Sequence, residues 1–206
     1  MTTPYSLYDL VSAHEGGHGS LADFYVTWCE GVSVENVARV MGADIDTVTP
    51  CKIVGWGSGS DGSGREDGNI LVGAAGTWTF LLGDYRCVGI DSVVGLSKNN
   101  GRALSIEWSV HGETILRYAA NGEIATVLDI TYTEDRYGGD PNALDSHMEG
   151  LRFDIIDDDV EDGVTDLRES FTSALILVER ITGQKINKEW LDAVYACYVL
   201  PATVNE

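Results

Sequence analysis

The chain has 206 residues, of which 44% are hydrophobic, and this size predicts one domain over residues 1–206 with its own core. Its 13 basic and 33 acidic residues give a net charge of −20, which argues against nucleic-acid binding and against an anionic membrane surface. The sequence has no apolar run of about 18 residues and no secretory signal at residues 1–10, so we expect a soluble protein of the cytoplasm.

The N-terminal part predicts two short helices with a strand between them. Apolar residues three and four positions apart indicate a helix over residues 5–14, and residues 22–29 are rich in the aromatic and β-branched side chains typical of strands. Ser33 is a suitable N-cap, and Gly42 a suitable C-terminal stop, for a helix over residues 34–41.

The next part predicts a loop followed by strands. Residues 55–68 are rich in glycine and serine, which indicates a flexible loop, and they lack the Gly-Lys-Ser/Thr step of a phosphate loop. Strand-like segments follow at residues 70–75, 77–82 and 86–90, and residues 91–101 form a predicted connection.

Residues 103–131 carry the clearest pattern in the chain. Three strand-like segments are separated by His111-Gly112 and by Asn121-Gly122, and Asn-Gly suits the type I′ turn of a β-hairpin. We predict a meander here and about six strands in total, in one antiparallel sheet.

The C-terminal part predicts two helices that pack together on one face of this sheet, which makes the fold class α+β. The first covers residues 164–181 and stops at Gly183, and the second begins at Asn187 with an apolar stripe that runs to Tyr198. An acidic loop is predicted at residues 154–163.

Four scattered cysteines include no C-x-x-C pair. In a cytosolic chain we expect them to be free, mostly buried thiols, and the sequence leaves a disulfide open. They are Cys29, Cys51, Cys87 and Cys197.

The string His14-Glu15-Gly16-Gly17-His18 matches the H-E-x-x-H zinc-protease pattern. On a helix, His14 and His18 would bind zinc from one face while Glu15 activates a bound water. Each glycine costs a helix about 1 kcal/mol relative to alanine, so a polar loop competes with this interpretation. Zinc content that disappears in His14→Ala would support the zinc site.

An acidic tract runs from Asp129 to Glu169, with 14 acidic residues against three arginines. Its densest part fails the EF-hand pattern, because Asp162 and Arg168 stand where glycine and glutamate are needed. It favours either a solvated loop before a helix or a docking surface for a basic partner. The candidate partner-binding residues are Asp157, Asp158, Asp159, Glu161 and Asp162.

Several stretches together resemble a family of actinobacterial proteins known only as a domain of unknown function. The resemblance implies no catalytic residue and no cofactor. The stretches are residues 34–43, Gly76-Thr77-Trp78-Thr79, the hairpin of Tyr118, Ala119 and Gly122, the turn Arg136-Tyr137-Gly138-Gly139-Asp140-Pro141, and Ile181-Thr182-Gly183.

These observations lead to three functional hypotheses. The first is a non-enzymatic, acidic protein-binding module that neutralises a basic partner, as an immunity-type, phage or defence-related protein would. The second is a zinc-dependent hydrolase built on residues 14–18, and the third is a structural subunit of a larger assembly.

Overall fold

The computed structural model describes residues 6–13, 24–53, 68–109, 114–153 and 167–201. The strands are β1 (Phe24–Glu30), β2 (Asp44–Lys52), β3 (Gly68–Ala75), β4 (Trp78–Leu82), β5 (Arg102–Trp108), β6 (Thr114–Ala120), β7 (Glu123–Asp129), β8 (Arg136–Tyr137) and β9 (Val194–Leu200). The helices are α1 (Ser6–Ala13), α2 (Val34–Val40), α3 (Ile90–Leu96), α4 (Asp145–Met148), α5 (Leu167–Thr182) and α6 (Lys188–Asp192), with a 3-10 helix at Tyr85–Cys87.

The strands form one antiparallel sheet in the order β2-β9-β3-β4-β1-β5-β6-β7-β8. This arrangement confirms the predicted α+β class and the single antiparallel sheet. Strand β2 forms one edge of the described sheet and the two-residue strand β8 forms the other. The described residues contain nine strands rather than the six predicted.

Helices cover both faces of the sheet, and each face has its own apolar core. On the first face, α1 and α5 pack over sheet residues such as Trp28, Phe80 and Leu104. On the second face, α2 and α3 pack over smaller residues such as Cys29 and Ala103. Because both faces are covered, the central strands carry nearly continuous apolar sequences rather than strict alternation.

The predicted meander is confirmed in the pairing of β5, β6 and β7, while its predicted turn at His111-Gly112 lies outside the described residues. Residues Asn121 and Gly122 have φ angles of 55° and 80°, as a type I′ turn requires, and asparagine and glycine tolerate this left-handed region best. The hairpin between β6 and β7 therefore has the geometry that the Asn-Gly pair predicted, although the register of this strand pair shifts between Tyr118 and Ala119.

The predicted helix ends are also confirmed where the structure describes them. The Ser33 hydroxyl accepts the backbone N–H of Asn36 at 3.3 Å and caps α2, and Gly42 follows this helix at φ 75°. Helix α5 ends at Thr182, and Gly183 has φ 70° with its N–H bonded to the Glu179 carbonyl at 2.9 Å.

The strand predicted at residues 86–90 is wrong. This segment contains the end of the 3-10 helix and the start of α3, which also occupies the predicted connection at 91–101. The Asp84 carboxylate caps the 3-10 helix by accepting the Arg86 N–H at 2.9 Å. This side-chain cap stabilises a helical turn in a sequence whose valine and isoleucine content favoured a strand.

The prediction of two C-terminal helices on one face is right only in part: α5 packs on the first face and Trp190 of α6 packs against the same core, but the second helix is much shorter than predicted. Helix α6 is short, and the stripe that we assigned to it continues as strand β9, which lies between β2 and β3. Residues 194–200 include two tyrosines and two valines, which favour a strand, and neighbouring strands on both sides satisfy their backbone groups. Apolar residues at mixed spacing fit either structure, which is why the sequence misled us.

Two predicted loops fall largely or wholly outside the described residues. These are the glycine-serine loop at 55–68, of which only Gly68 is described, and the acidic loop at 154–163. Among the described helices, none is both long enough and apolar enough to cross a membrane.

Candidate functional site

Neither predicted site falls within the described residues. The zinc-binding candidates His14, Glu15 and His18 lie outside them, and so do all the partner-binding candidates, Asp157, Asp158, Asp159, Glu161 and Asp162. Within the ranges that the structure describes, no three histidine, cysteine, aspartate or glutamate side chains gather as a metal site. Both hypotheses therefore stay predictions.

The first half of the acidic tract is described, and it contains an ordered surface loop. We define residues 130–144, between β7 and α4, as the tyrosine loop. It includes strand β8, which pairs with β7 through Val127 opposite Tyr137 and Leu128 opposite Arg136. The loop therefore extends the sheet at its β8 edge.

Three buried residues anchor the tyrosine loop to the domain. Ile130 is fully buried and donates its N–H to the Thr114 carbonyl at 2.6 Å. Thr133 is also buried, and its carbonyl accepts the Arg136 Nε at 2.5 Å. Leu144, at the end of the loop, is buried in the first core. Burial of these side chains fixes both ends of the loop against the fold.

The middle of the tyrosine loop is fixed by hydrogen bonds to β7. The N–H groups of Gly139 and Asp140 donate to the carbonyls of Ile124 and Ala125 at 3.1 and 2.8 Å. Thr126 Oγ1 donates to the Pro141 carbonyl at 3.2 Å. These bonds fix the backbone of the loop against β7 and satisfy its polar groups.

The side chains that this backbone presents are aromatic and acidic. Tyr132 and Tyr137 are 50% and 60% exposed, and Glu134, Asp135 and Asp140 are also exposed. Within the described part of the chain, neither Glu134 nor Asp135 forms an ion pair, whereas Arg136, the loop's one basic residue, pairs with Asp145 at the start of α4. The free charge of the loop is therefore negative.

A second feature is a polar cleft of about 450 Å³. It lies where β1 ends at Glu30 and β5 begins, at the opposite end of these two strands from the paired residues Phe24 and Trp108. It is lined by α2, the end of α3 and the turn at Asn99 and Asn100, both of which have left-handed φ angles near 60°. Lys98 and Arg39 bring positive charge to this cleft, and Glu30 brings a carboxylate.

Two ion pairs neutralise much of the charge in this cleft. Arg102 donates from Nε and Nη2 to the two carboxylate oxygens of Glu30 at 2.7 and 2.9 Å, and these hydrogen bonds hold the pKa of Glu30 below its ordinary value. Arg102 also lies 5.2 Å from the ring centroid of Trp78. Arg39 pairs with Glu35. The cleft therefore offers amide groups and the Lys98 ammonium, and the described lining contains no paired acid and base for catalysis.

Sequence reasoning identified the acidic tract but missed the exposed tyrosines. Aromatic residues are usually assigned to the core, and nothing in their spacing showed that Tyr132 and Tyr137 face outward. The available signal was their position, because both flank Glu134 and Asp135 beside the turn that begins at Gly138.

Comparison with known proteins gives a family but no activity. No curated protein matches the chain, and no solved structure matches it either. A family model described as "Family of unknown function (DUF6461)" matches residues 8–205, which include all the strands that the structure describes, the tyrosine loop and the polar cleft. The chain therefore belongs to this family of unknown function.

Proposed function

We propose that this protein is a non-enzymatic binding module that holds a basic protein partner against the tyrosine loop. One observation carries the proposal: a hydrogen-bonded loop exposes Tyr132 and Tyr137 beside the unpaired acids Glu134 and Asp135. An immunity-type protein that neutralises a basic toxin is the most specific form of this function.

The exposed tyrosines supply the binding energy in this proposal. Tyrosine is enriched among the residues that dominate protein interfaces, because its ring buries a large area at a low cost in side-chain entropy. Tyr137 is part of β8 and Tyr132 precedes it, so both rings extend from backbone that is already fixed. A partner would bury them without having to order the loop first.

The acidic side chains supply specificity and a fast association. The chain carries a net charge of −20, and the loop adds Glu134, Asp135 and Asp140 at its surface. A surface of one sign attracts a partner of the opposite sign from a distance and repels wrong partners. This preference explains why we propose a basic protein rather than a neutral one.

Removing both tyrosine rings tests the proposal. We expect Tyr132→Ala/Tyr137→Ala to weaken binding of the partner at least about thirtyfold, because truncation of a single dominant interface tyrosine already costs about 2 kcal/mol. The measurement is capture from an extract of the source organism on the immobilised full chain, with quantitative mass spectrometry, followed by titration of the captured protein.

Tyr85→Ala is the matched control. Tyr85 is 67% exposed, lies in the 3-10 helix and is no part of the tyrosine loop. The proposal requires that this variant captures the same protein as the wild type does. Equal capture by the wild type and the double variant would overturn it.

A further inference from the structure

Two partly exposed cysteines lie next to each other at the β2 edge of the sheet. Cys51 belongs to β2 and Cys197 to β9, and these strands pair with Thr49 opposite Cys197 and Cys51 opposite Tyr195. This register places Cys51 and Cys197 diagonally on the same face of the antiparallel pair. The other cysteines, Cys29 and Cys87, are fully buried.

The two thiols are close enough to influence each other. After burial, the neighbouring Cys51 side chain is a further cause of the raised pKa of Cys197, and Cys51 Sγ donates to the Lys52 carbonyl at 3.3 Å. Burial raises the pKa of Cys197 to about 11, so its thiolate is scarce at neutral pH. The pair would therefore react slowly with an oxidant. A long exposure to the oxidant would oxidise it, whereas a brief exposure would not.

A disulfide between these thiols requires a local shift of the edge strand β2. A disulfide needs Cβ atoms about 3.5–4.5 Å apart, which is closer than the usual diagonal spacing in a sheet. Among the described strands β2 pairs with β9 alone, and its register shifts between Asp44 and Thr49, where Thr47 Oγ1 accepts the Val199 N–H at 3.0 Å. An edge strand with an irregular register can move without breaking a second ladder.

We propose that Cys51 and Cys197 are a redox-modification site that forms a reversible disulfide and fastens the edge strand β2 to β9, with a small-molecule disulfide such as oxidised glutathione as the oxidant. The inference is independent of the partner-binding function proposed above.

The reaction proceeds by two thiol–disulfide exchanges. The Cys51 thiolate attacks one sulfur of the oxidant, which gives a mixed disulfide and releases one thiol of the small molecule. The Cys197 thiolate then attacks Sγ of Cys51 and releases the second thiol. The two protein thiols lose two electrons and two protons in total, and the small disulfide gains both as it is reduced to two thiols.

The test is oxidation of the full chain with oxidised glutathione, followed by alkylation of the remaining thiols and peptide mapping. We expect a Cys51–Cys197 crosslink with Cys29 and Cys87 still alkylated after unfolding. The melting temperature should rise by at least about 5 °C, because the crosslink constrains most of the chain in the unfolded state. A reductant should reverse both changes.

Single variants separate this site from general oxidation. Cys51→Ser and Cys197→Ser should each lose the rise in melting temperature, whereas Cys87→Ser, if it folds, should keep it. Peptide mapping of the wild-type chain decides the matter even if a variant fails to fold. Glutathione retained on Cys51 or Cys197, a crosslink to Cys29 or Cys87, or four free thiols after oxidation would each overturn the proposal.

Discussion

Replacing Arg117 with methionine is expected to lower the free energy of unfolding by about 3–5 kcal/mol. Arg117 Nη1 donates to Glu107 Oε2 at 2.6 Å across β5 and β6. The two side chains are only 13% and 10% exposed. Removal of the guanidinium leaves the Glu107 carboxylate buried without its counter-charge, while methionine preserves most of the apolar contact. Urea unfolding followed by circular dichroism measures the loss.

Two further variants show whether burial causes this effect. Arg39→Met removes the ion pair between Arg39 and Glu35, whose side chains are 54% and 60% exposed. This variant should lower the free energy of unfolding by less than about 1 kcal/mol. The double variant Glu107→Leu/Arg117→Met removes both buried charges and should recover most of the lost stability. A loss below 1 kcal/mol in Arg117→Met would contradict this explanation.

Replacing Gly138 with alanine is expected to lower the free energy of unfolding by about 3 kcal/mol. Gly138 has φ 136°, a conformation that L-residues rarely adopt, and a Cβ at this position would lie under 3.0 Å from the Ala125 carbonyl oxygen. The clash is with backbone, so the turn of the tyrosine loop has to move away from β7. We expect this variant to lose both stability and partner binding.

Gly150→Ala is the control for this variant. Gly150 also has a left-handed φ, 73°, but a Cβ there would meet no atom within 4 Å. Gly150→Ala should therefore lower the free energy of unfolding by only about 1 kcal/mol, because of the backbone conformation alone, and it should leave partner binding unchanged. Equal losses in the two alanine variants would show that contact with Ala125 is unimportant.

The buried ion pair and the tyrosine loop are connected through the sheet. Arg117 is opposite Val127 in the β6–β7 pair, and Val127 is opposite Tyr137 in the β7–β8 pair. Antiparallel partners share a face, so these three residues form one row across the second face of the sheet. The row extends from the Glu107–Arg117 pair to an exposed ring of the proposed interface.

The sequence predicted the elements whose ends carry a specific chemical signal. Asn121-Gly122 identified the hairpin of the meander, Ser33 identified the start of α2, and Gly183 identified the end of α5. In each case the residue does in the structure what its local chemistry requires, independently of the rest of the fold.

The sequence did not predict elements that depend on tertiary context. Strand β2 is an edge strand with mostly exposed side chains, a Pro50 and no regular alternation, so it lacked the apolar pattern of a strand. Strand β9 has apolar residues on both faces and was mistaken for part of a helix. Helix α3 begins at Ile90, and its N-cap residue, Gly89, has no side chain that could cap it.

For the candidate site, composition located the region but not its arrangement. The acidic tract was visible as a concentration of charge, and its described residues include the tyrosine loop. The exposure of Tyr132 and Tyr137 depends on which residues anchor the loop, and the anchors Ile130 and Leu144 could be identified only from the packed structure.

The central claim is tested most directly by reversing charge at the tyrosine loop and measuring partner capture. Glu134→Lys/Asp135→Lys is compared with Asp46→Lys/Glu189→Lys, which makes the same change in net charge at exposed acids outside the loop. Each chain is immobilised, exposed to an extract of the source organism and washed at moderate salt.

We predict that the wild type and the control variant retain one stoichiometric basic protein, and that the loop variant retains at least about tenfold less of it. Equal retention by all three chains, or a wild-type chain that captures no stoichiometric partner, would contradict the claim that the tyrosine loop is a binding surface.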